Sequence, residues 1–182
     1  DTGAAQGHTH GIPAPMTVTA CQMTGDNREE VVGGQITAFI KAHNKAHNLA
    51  EIKPDFRRIG FNNLASNQPG GSLGYEAWVS IPDDMAVPPP LVRKRFLGGL
   101  YAAHMIAFGE LQKWGRLWER ATTNAQYAVD FAPRTNPPDP HADPALEEQP
   151  NAIHHLEDTS PFGTQLDLLV PVCPKPPTAQ NP

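Results

Sequence analysis

Hydrophobic positions along the first half of the chain predict a strand, a helix and two further strands. Apolar and β-branched residues predict a strand at residues 16–23. Apolar residues recur at helical spacing between residues 28 and 48 and predict a helix. Two shorter apolar segments, residues 57–63 and 75–81, predict strands. This half ends near residue 82, where prolines begin.

The second half repeats the same order of elements. They are a strand-like segment bent at a glycine pair, a helix and two strands, predicted at residues 92–106, 108–124, 145–151 and 165–172. Trp114 and Trp118 lie four residues apart on this helix and are predicted to pack on the sheet. We therefore predict an α+β fold made of duplicated strand-helix-strand-strand units with pseudo-twofold symmetry. Its curved antiparallel sheet would carry two helices on one face and a ligand groove where the halves meet.

Proline-rich and unpatterned segments divide the chain into one domain and two tails. Residues 1–14 have no periodicity and are expected to form a flexible N-terminal tail. Residues 174–182 are expected to form a proline-rich C-terminal tail. The domain between them spans residues 15–173, with halves at about 15–82 and 91–173.

Charge and composition narrow the classes of partner. The net charge of −5 argues against a surface that neutralises phosphates, so no direct binding to nucleic acid is expected. No apolar run reaches the roughly 18 residues of a membrane span, so no membrane partner is expected. His43 and His47 have metal-ligand spacing without a third ligand, so neither a metal nor a cofactor is predicted. A cytoplasmic location is expected, with export as the alternative, and a homodimer is left open.

The two cysteines, Cys21 and Cys173, lie in the first and last predicted strands. Neither belongs to a CxxC pair, so metal-binding and thioredoxin-like functions have little support. Two buried free thiols are the simpler interpretation. A disulfide between the first and last strands is the alternative if the protein is exported.

Five segments carry a resemblance to a known family. They are FRRIGFNN, GYEAWVSIP, FLGGLYAAH, LEEQPN and LDLLVP, at residues 56–63, 74–82, 96–104, 146–151 and 166–171. In order and spacing they resemble the gyrase-inhibitor-like (GyrI-like) effector-binding domain, which occurs in AraC-type and multidrug-sensing transcription regulators and in integron-associated effector-binding proteins. The resemblance implies a groove that binds hydrophobic, often cationic, small molecules between aromatic walls. It also implies one buried glutamate in the second half, and the matching position is Glu147.

Aromatic residues complete the candidate ligand-binding site. Because side chains alternate along a strand, only one of Glu147 and Glu148 can face the groove. Trp78 lies opposite the aliphatic side chains of its own strand, and it lines the groove if those side chains form the core. Phe61 is a further candidate wall, and Tyr101 is placed to stack on a ligand or to donate a hydrogen bond to Glu147. Core packing is the alternative for each aromatic residue.

These observations favour a stand-alone effector-binding protein that holds an amphipathic, cationic, aromatic compound against Glu147. The first alternative is a hydrolase of strained or electrophilic, cyclopropanoid-type compounds, in which Glu147 is the acid or base. The second is a haem or tetrapyrrole binder, for which His104 is the candidate axial ligand. The third is a protein that inhibits a partner enzyme.

Overall fold

Ten strands form one antiparallel sheet in the computed structural model, which describes residues 8–12, 16–63, 74–150, 152–154 and 164–177. The strands are β1 His8–Ile12, β2 Met16–Thr24, β3 Arg58–Asn63, β4 Gly74–Ser80, β5 Val92–Phe96, β6 Gly99–Ala107, β7 Tyr127–Val129, β8 Thr135–Asn136, β9 Leu146–Glu148 and β10 Gln165–Pro174. Nine follow the order β1-β6-β10-β9-β3-β4-β2-β5-β8, and β7 pairs with the end of β10.

The helices connect strands within each half. They are α1 Arg28–His47, the short α2 Leu49–Ile52 and α3 Trp114–Thr123, with 3₁₀ turns at Leu111–Lys113 and Ala152–His154. The second helix begins later than its periodicity predicts, because β6 continues to Ala107 and Gly109 then adopts a left-handed conformation with φ of 104°. No helix in the described ranges is long and apolar enough to cross a membrane.

The order of strands confirms the predicted duplication. The first unit is β2, α1, β3 and β4, and the second is β6, α3, β9 and β10. In the sheet they lie as β6-β10-β9 beside β3-β4-β2, so the two units are related about the boundary between β9 and β3. At this boundary Gly60 pairs with Glu147 and Ile59 pairs with Glu148. The pseudo-twofold axis therefore passes close to Glu147.

The sheet curls so that its two ends contribute to one core cluster. Ile12 comes from β1 at one edge and Phe96 from β5 near the other, yet both are buried in the same group of side chains. Residues 1–14 were expected to be a flexible tail, and this expectation is corrected for His8–Ile12, which pairs with β6. The pairing of His8–Ile12 is explained by burial of Ile12, because a fully buried side chain of this size contributes about 1.5–3 kcal/mol to the free energy of folding.

The two long helices pack on the convex face, one over each half. Helix α1 places Ile36 and Ile40 against strand residues that include Val79. Helix α3 places Leu117 among residues of β6 and β10 that include Leu168. The helices belong to separate clusters, so the middle of the sheet between them is left for a cavity.

Candidate ligand-binding site

A cavity of about 830 Å³ lies over the middle of the sheet on the helix side. This volume is within the usual range for small-molecule sites, roughly 300–1,000 Å³. Its floor comes from β3, β4 and β9, and its walls come from the first turns of α1 and from the segment that leads into α3. The cavity lining includes charged, polar and aromatic residues, among them Glu29, Glu30, Arg58, Tyr75, Trp114, Glu147 and Gln149.

Glu147 is a half-buried carboxylate on the floor of this cavity. Its Oε1 accepts a hydrogen bond from Trp114 Nε1 at 3.2 Å, and its carboxylate also accepts one from the Tyr75 hydroxyl. Burial raises the pKa of Glu147, and the nearby carboxylates of Glu29 and Asp143 raise it further. Both hydrogen-bond donors are neutral, and no cationic side chain of the described residues forms an ion pair with Glu147.

Tyr75 reaches Glu147 by lying across a glycine. Gly60 sits between them in the sheet, and a Cβ atom built on Gly60 would lie 1.9 Å from the Tyr75 hydroxyl oxygen. The missing side chain at Gly60 is therefore what lets the Tyr75 ring cover the strand. Burial raises the pKa of Tyr75, and the charge of Glu147 raises it further. The phenol therefore stays protonated and remains a hydrogen-bond donor.

Carboxylates dominate the charge of the cavity. Glu29 and Glu30 lie in the first turn of α1, where the helix dipole stabilises acidic side chains. Both line the cavity together with Glu147. Arg58 contributes a guanidinium to the same lining, and its Nη2 donates to the Gly33 carbonyl at 3.3 Å. The arrangement offers a flat indole, a phenol and several negative charges to a bound molecule.

Two of the five predicted site residues lie on this helix side. Glu147 lines the cavity, and its contact with a ligand stays a prediction. His104 lies in the same row of the sheet, but Leu168 of β10 separates it from Glu147. Burial lowers the pKa of His104, and the charge of Arg120 on α3 lowers it further.

The predicted placement of Trp78, Phe61 and Tyr101 beside Glu147 is corrected. All three belong to the buried cluster on the concave face, opposite the cavity that Glu147 lines. The Trp78 indole donates to Glu76, a fully buried neighbour on its own strand. The prediction failed because both faces of this sheet are buried, and alternation along a strand does not show which buried face binds a ligand.

Trp78 and Tyr101 line a second, smaller cavity on the concave face. Its volume is about 70 Å³, and Phe131 and Arg134 line it as well. A space of this size admits a few water molecules or a very small molecule, not an aromatic compound. Direct contact of these residues with a ligand stays a prediction.

Tyr75, Trp114 and Arg58 are the cavity residues that the sequence patterns missed. Tyr75 shares its strand face with aliphatic residues, which indicated core packing, and Trp114 matched the period of a sheet-packing helix. The signal that could have found Tyr75 is Gly60, whose pairing with Glu147 leaves room for a neighbouring ring.

Cys21 and Cys173 are both free thiols in the structure. Cys21 is buried, and its Sγ lies 2.7 Å from the Gln35 side-chain oxygen on α1. Burial raises the pKa of the Cys21 thiol, and the charge of Glu76 raises it further. Cys173 is exposed.

The duplicated α+β units and the large cavity at their junction define a protein of the small-molecule-binding class. Residues 14–172 match the profile of the family described as Cass2, integron-associated effector binding protein, and the chain belongs to this family. The match confirms the GyrI-like, effector-binding resemblance seen in the sequence. No curated protein matches the chain.

Solved structures with the same fold include the EcmrR C-terminal domain, with a TM-score of 0.58, 8% identity and coverage of 92% of this chain and 97% of that one. The EcmrR chain in a cryo-EM complex with DNA has a TM-score of 0.53 and 8% identity, over 92% of this chain and 57% of that one. This chain therefore spans a little over half of that EcmrR chain. A hydrolase from Listeria innocua has a TM-score of 0.54 and 11% identity, with 91% of each chain covered. At these identities the likeness shows the fold alone.

Proposed function

We propose that this chain reversibly binds amphipathic, cationic, aromatic small molecules in the cavity between α1 and α3. Trp114 and Tyr75 would form the aromatic walls, and Glu147 would supply the counter-charge. Membership of an effector-binding family supports small-molecule binding as the class of function. The lining of the cavity supports the proposed chemical nature of the ligand.

The observation that carries this proposal is the incomplete set of partners around Glu147. A carboxylate removed from water needs hydrogen bonds or a positive charge, and two neutral donors supply only part of that need. Its pKa is raised for the same reason. A cation that enters the cavity would meet Glu147 with Glu29 close by and would stabilise both charges.

The aromatic walls support the proposed aromatic character of the ligand. An indole or phenol face attracts a cation by about 0.5–2 kcal/mol, more when the contact is desolvated. Trp114 is held in place by its own hydrogen bond to Glu147, so the indole is already oriented when a ligand arrives. Preorganisation of this kind lowers the entropic cost of binding.

Fluorescence titration with a cationic xanthene dye tests the proposal. The wild-type protein should bind the dye, and Glu147→Gln should weaken binding by about tenfold or more, because a desolvated charge pair is lost. Glu119→Gln is the matched control, because Glu119 is exposed on α3. This substitution changes the net charge by the same amount as Glu147→Gln. Equal affinities for all three proteins would contradict the role of Glu147.

Hydrolysis is the second candidate function, and the raised pKa of Glu147 favours it. A carboxyl that keeps its proton closer to neutral pH suits general acid catalysis, and the Tyr75 hydroxyl holds it in one orientation. Mass spectrometry of an electrophilic epoxide or cyclopropane probe after incubation distinguishes the functions. A mass gain of one water that disappears in Glu147→Gln would support hydrolysis, whereas unchanged probe supports binding alone.

A further inference from the structure

Arg57, just before β3, and Arg58, its first residue, have very different surroundings. Arg57 points to the concave face, where its Nη1 contacts both carboxylate oxygens of Glu148 at 2.7 and 3.0 Å. Arg58 points to the cavity, where the described residues give its guanidinium one acceptor, the Gly33 carbonyl at 3.3 Å. A guanidinium has five N–H donors, so most of those on Arg58 have no protein acceptor within the described part of the chain.

Among the described residues no carboxylate pairs with Arg58, although acidic residues line the same cavity. Glu29 and Glu30 line the same cavity, yet no ion pair joins either of them to Arg58 in the structure. Burial lowers the pKa of Arg58, and the charge of Tyr75 partly counters that effect. A half-buried guanidinium in a ligand-sized cavity is therefore available to an oxygen group that comes from outside the chain.

The position of Arg58 relative to Glu147 sets the spacing of such a ligand. Gly60 pairs directly with Glu147, and Arg58 lies two residues along the same strand on the same face. Diagonal neighbours across two strands are about 7–8 Å apart. Gln149 lies opposite Arg58, since its backbone N–H donates to the Arg58 carbonyl at 3.0 Å, and its side chain lines the cavity too.

We propose that Arg58, with Gln149 beside it, forms an anion subsite, so that the preferred ligand is an aromatic ampholyte with a carboxylate or similar oxyanion beside its cationic part. This inference rests on the proposed function, because the cation of the same molecule lies against Glu147. A planar carboxylate accepts two parallel N–H bonds from one guanidinium. A purely cationic ligand leaves Arg58 without that partner and places a second positive charge near it.

A pair of dyes that differ in one group tests the subsite. The probes are a rhodamine with a free carboxylate and the methyl ester of the same rhodamine. The wild-type protein should bind the acid about tenfold more tightly than the ester, as expected for a charge-assisted hydrogen bond in a partly buried site. Arg58→Met should bring the ratio of the two affinities to about one, and Arg58→Lys should restore part of the preference.

Arg116→Met is the matched control, because Arg116 is exposed on α3 and the substitution is the same. The ratio of the two dye affinities for Arg116→Met should equal that of the wild type. Thermal unfolding should show that the Arg58 variants are folded. Tight binding of the ester without any gain for the acid would overturn the anion subsite while the proposed function survives. Failure of the wild type to bind either dye would overturn both proposals.

Discussion

Each face of the sheet carries a glutamate that is at least half-buried, and the two carboxylates have very different hydrogen-bond and charge partners. Glu76 on the concave face is fully buried. It accepts hydrogen bonds from Asn63 Nδ2 at 2.6 Å, Trp78 Nε1 at 2.5 Å and Lys94 Nζ at 2.6 Å. One of these donors is an ammonium, so the charge of Glu76 is balanced within the chain.

Glu147 on the helix face has two neutral donors, and within the described residues no ammonium or guanidinium pairs with it. It also borders a cavity of about 830 Å³, whereas the concave-face cavity has about 70 Å³. Burial of a carboxylate is therefore not enough to indicate a binding site, since Glu76 is fully buried and already paired. The proposed site has instead a half-buried carboxylate that lacks a positive partner among the described residues and has room for one.

The largest effect should follow from Glu76→Gln. The substitution leaves the Lys94 ammonium, whose side chain is 20% exposed, with Asp139 at 3.7 Å as its one remaining acidic partner among the described residues. Removing one partner of a buried ion pair typically costs about 3–5 kcal/mol, and partial exposure of Lys94 lowers that to roughly 2–4 kcal/mol. Urea unfolding measures the loss. A variant as stable as the wild type would show that the pair contributes little to stability.

Gly60→Ala should have the next largest effect, and it acts on the face that carries the proposed site. A Cβ atom at residue 60 would overlap the Tyr75 hydroxyl, so the ring must leave the strand and lose its hydrogen bond to Glu147. Overpacking of this kind costs roughly 1–3 kcal/mol. Dye affinity should fall together with the free energy of unfolding. Gly34→Ala is the control, because a Cβ there meets open space.

The element order was predictable because each strand and helix has a strong local period. Val79 and Ile36 show this clearly, since both fall on the buried faces that their patterns predict. The choice of binding face was not predictable in the same way. It depends on the curl of the sheet, to which Ile12 contributes through a strand that lacks any period of its own.

Among the residues of the proposed site, the sequence pointed only to Glu147, through the family resemblance. Tyr75 and Arg58 became part of the site through contacts across strands and with α1, and spacing along the chain does not show such contacts. Two adjacent arginines look equivalent in the sequence. Only the structure shows that Arg57 has a carboxylate partner and that Arg58 faces the cavity.

Glu147→Gln should change stability by a smaller amount, and in a pH-dependent way. The pKa of Glu147 is raised in the folded protein above the ordinary value of 4.5, so the native state holds the proton longer than the unfolded chain does. The stability that this proton contributes is complete below pH 4.5 and is lost as pH rises through the folded pKa. At neutral pH the variant should therefore equal or exceed the wild type, by up to about 1 kcal/mol.

Unfolding in urea at a series of pH values from acid to neutral measures this effect. The difference between wild type and Glu147→Gln should move in favour of the variant as the pH rises. Glu119→Gln provides the baseline, because Glu119 is exposed and lies outside the cavity. A difference that moves in the opposite direction would mean that Glu147 has a positive partner in solution.

Tyr101→Phe should have the smallest effect and tests the comparison most directly. The Tyr101 hydroxyl is buried and has no hydrogen-bond partner among the described residues, and the Arg134 guanidinium lies over its ring at 5.1 Å from the centroid. Phenylalanine keeps that stacking and removes an unsatisfied polar atom, so stability should be unchanged or rise by up to about 1 kcal/mol. Dye affinity should stay within about twofold of the wild type, because Tyr101 lies on the concave face, whereas Tyr75→Phe should weaken it. Weaker binding by Tyr101→Phe alone would instead place the ligand on the concave face, and the contrast between the two glutamates would no longer identify the site.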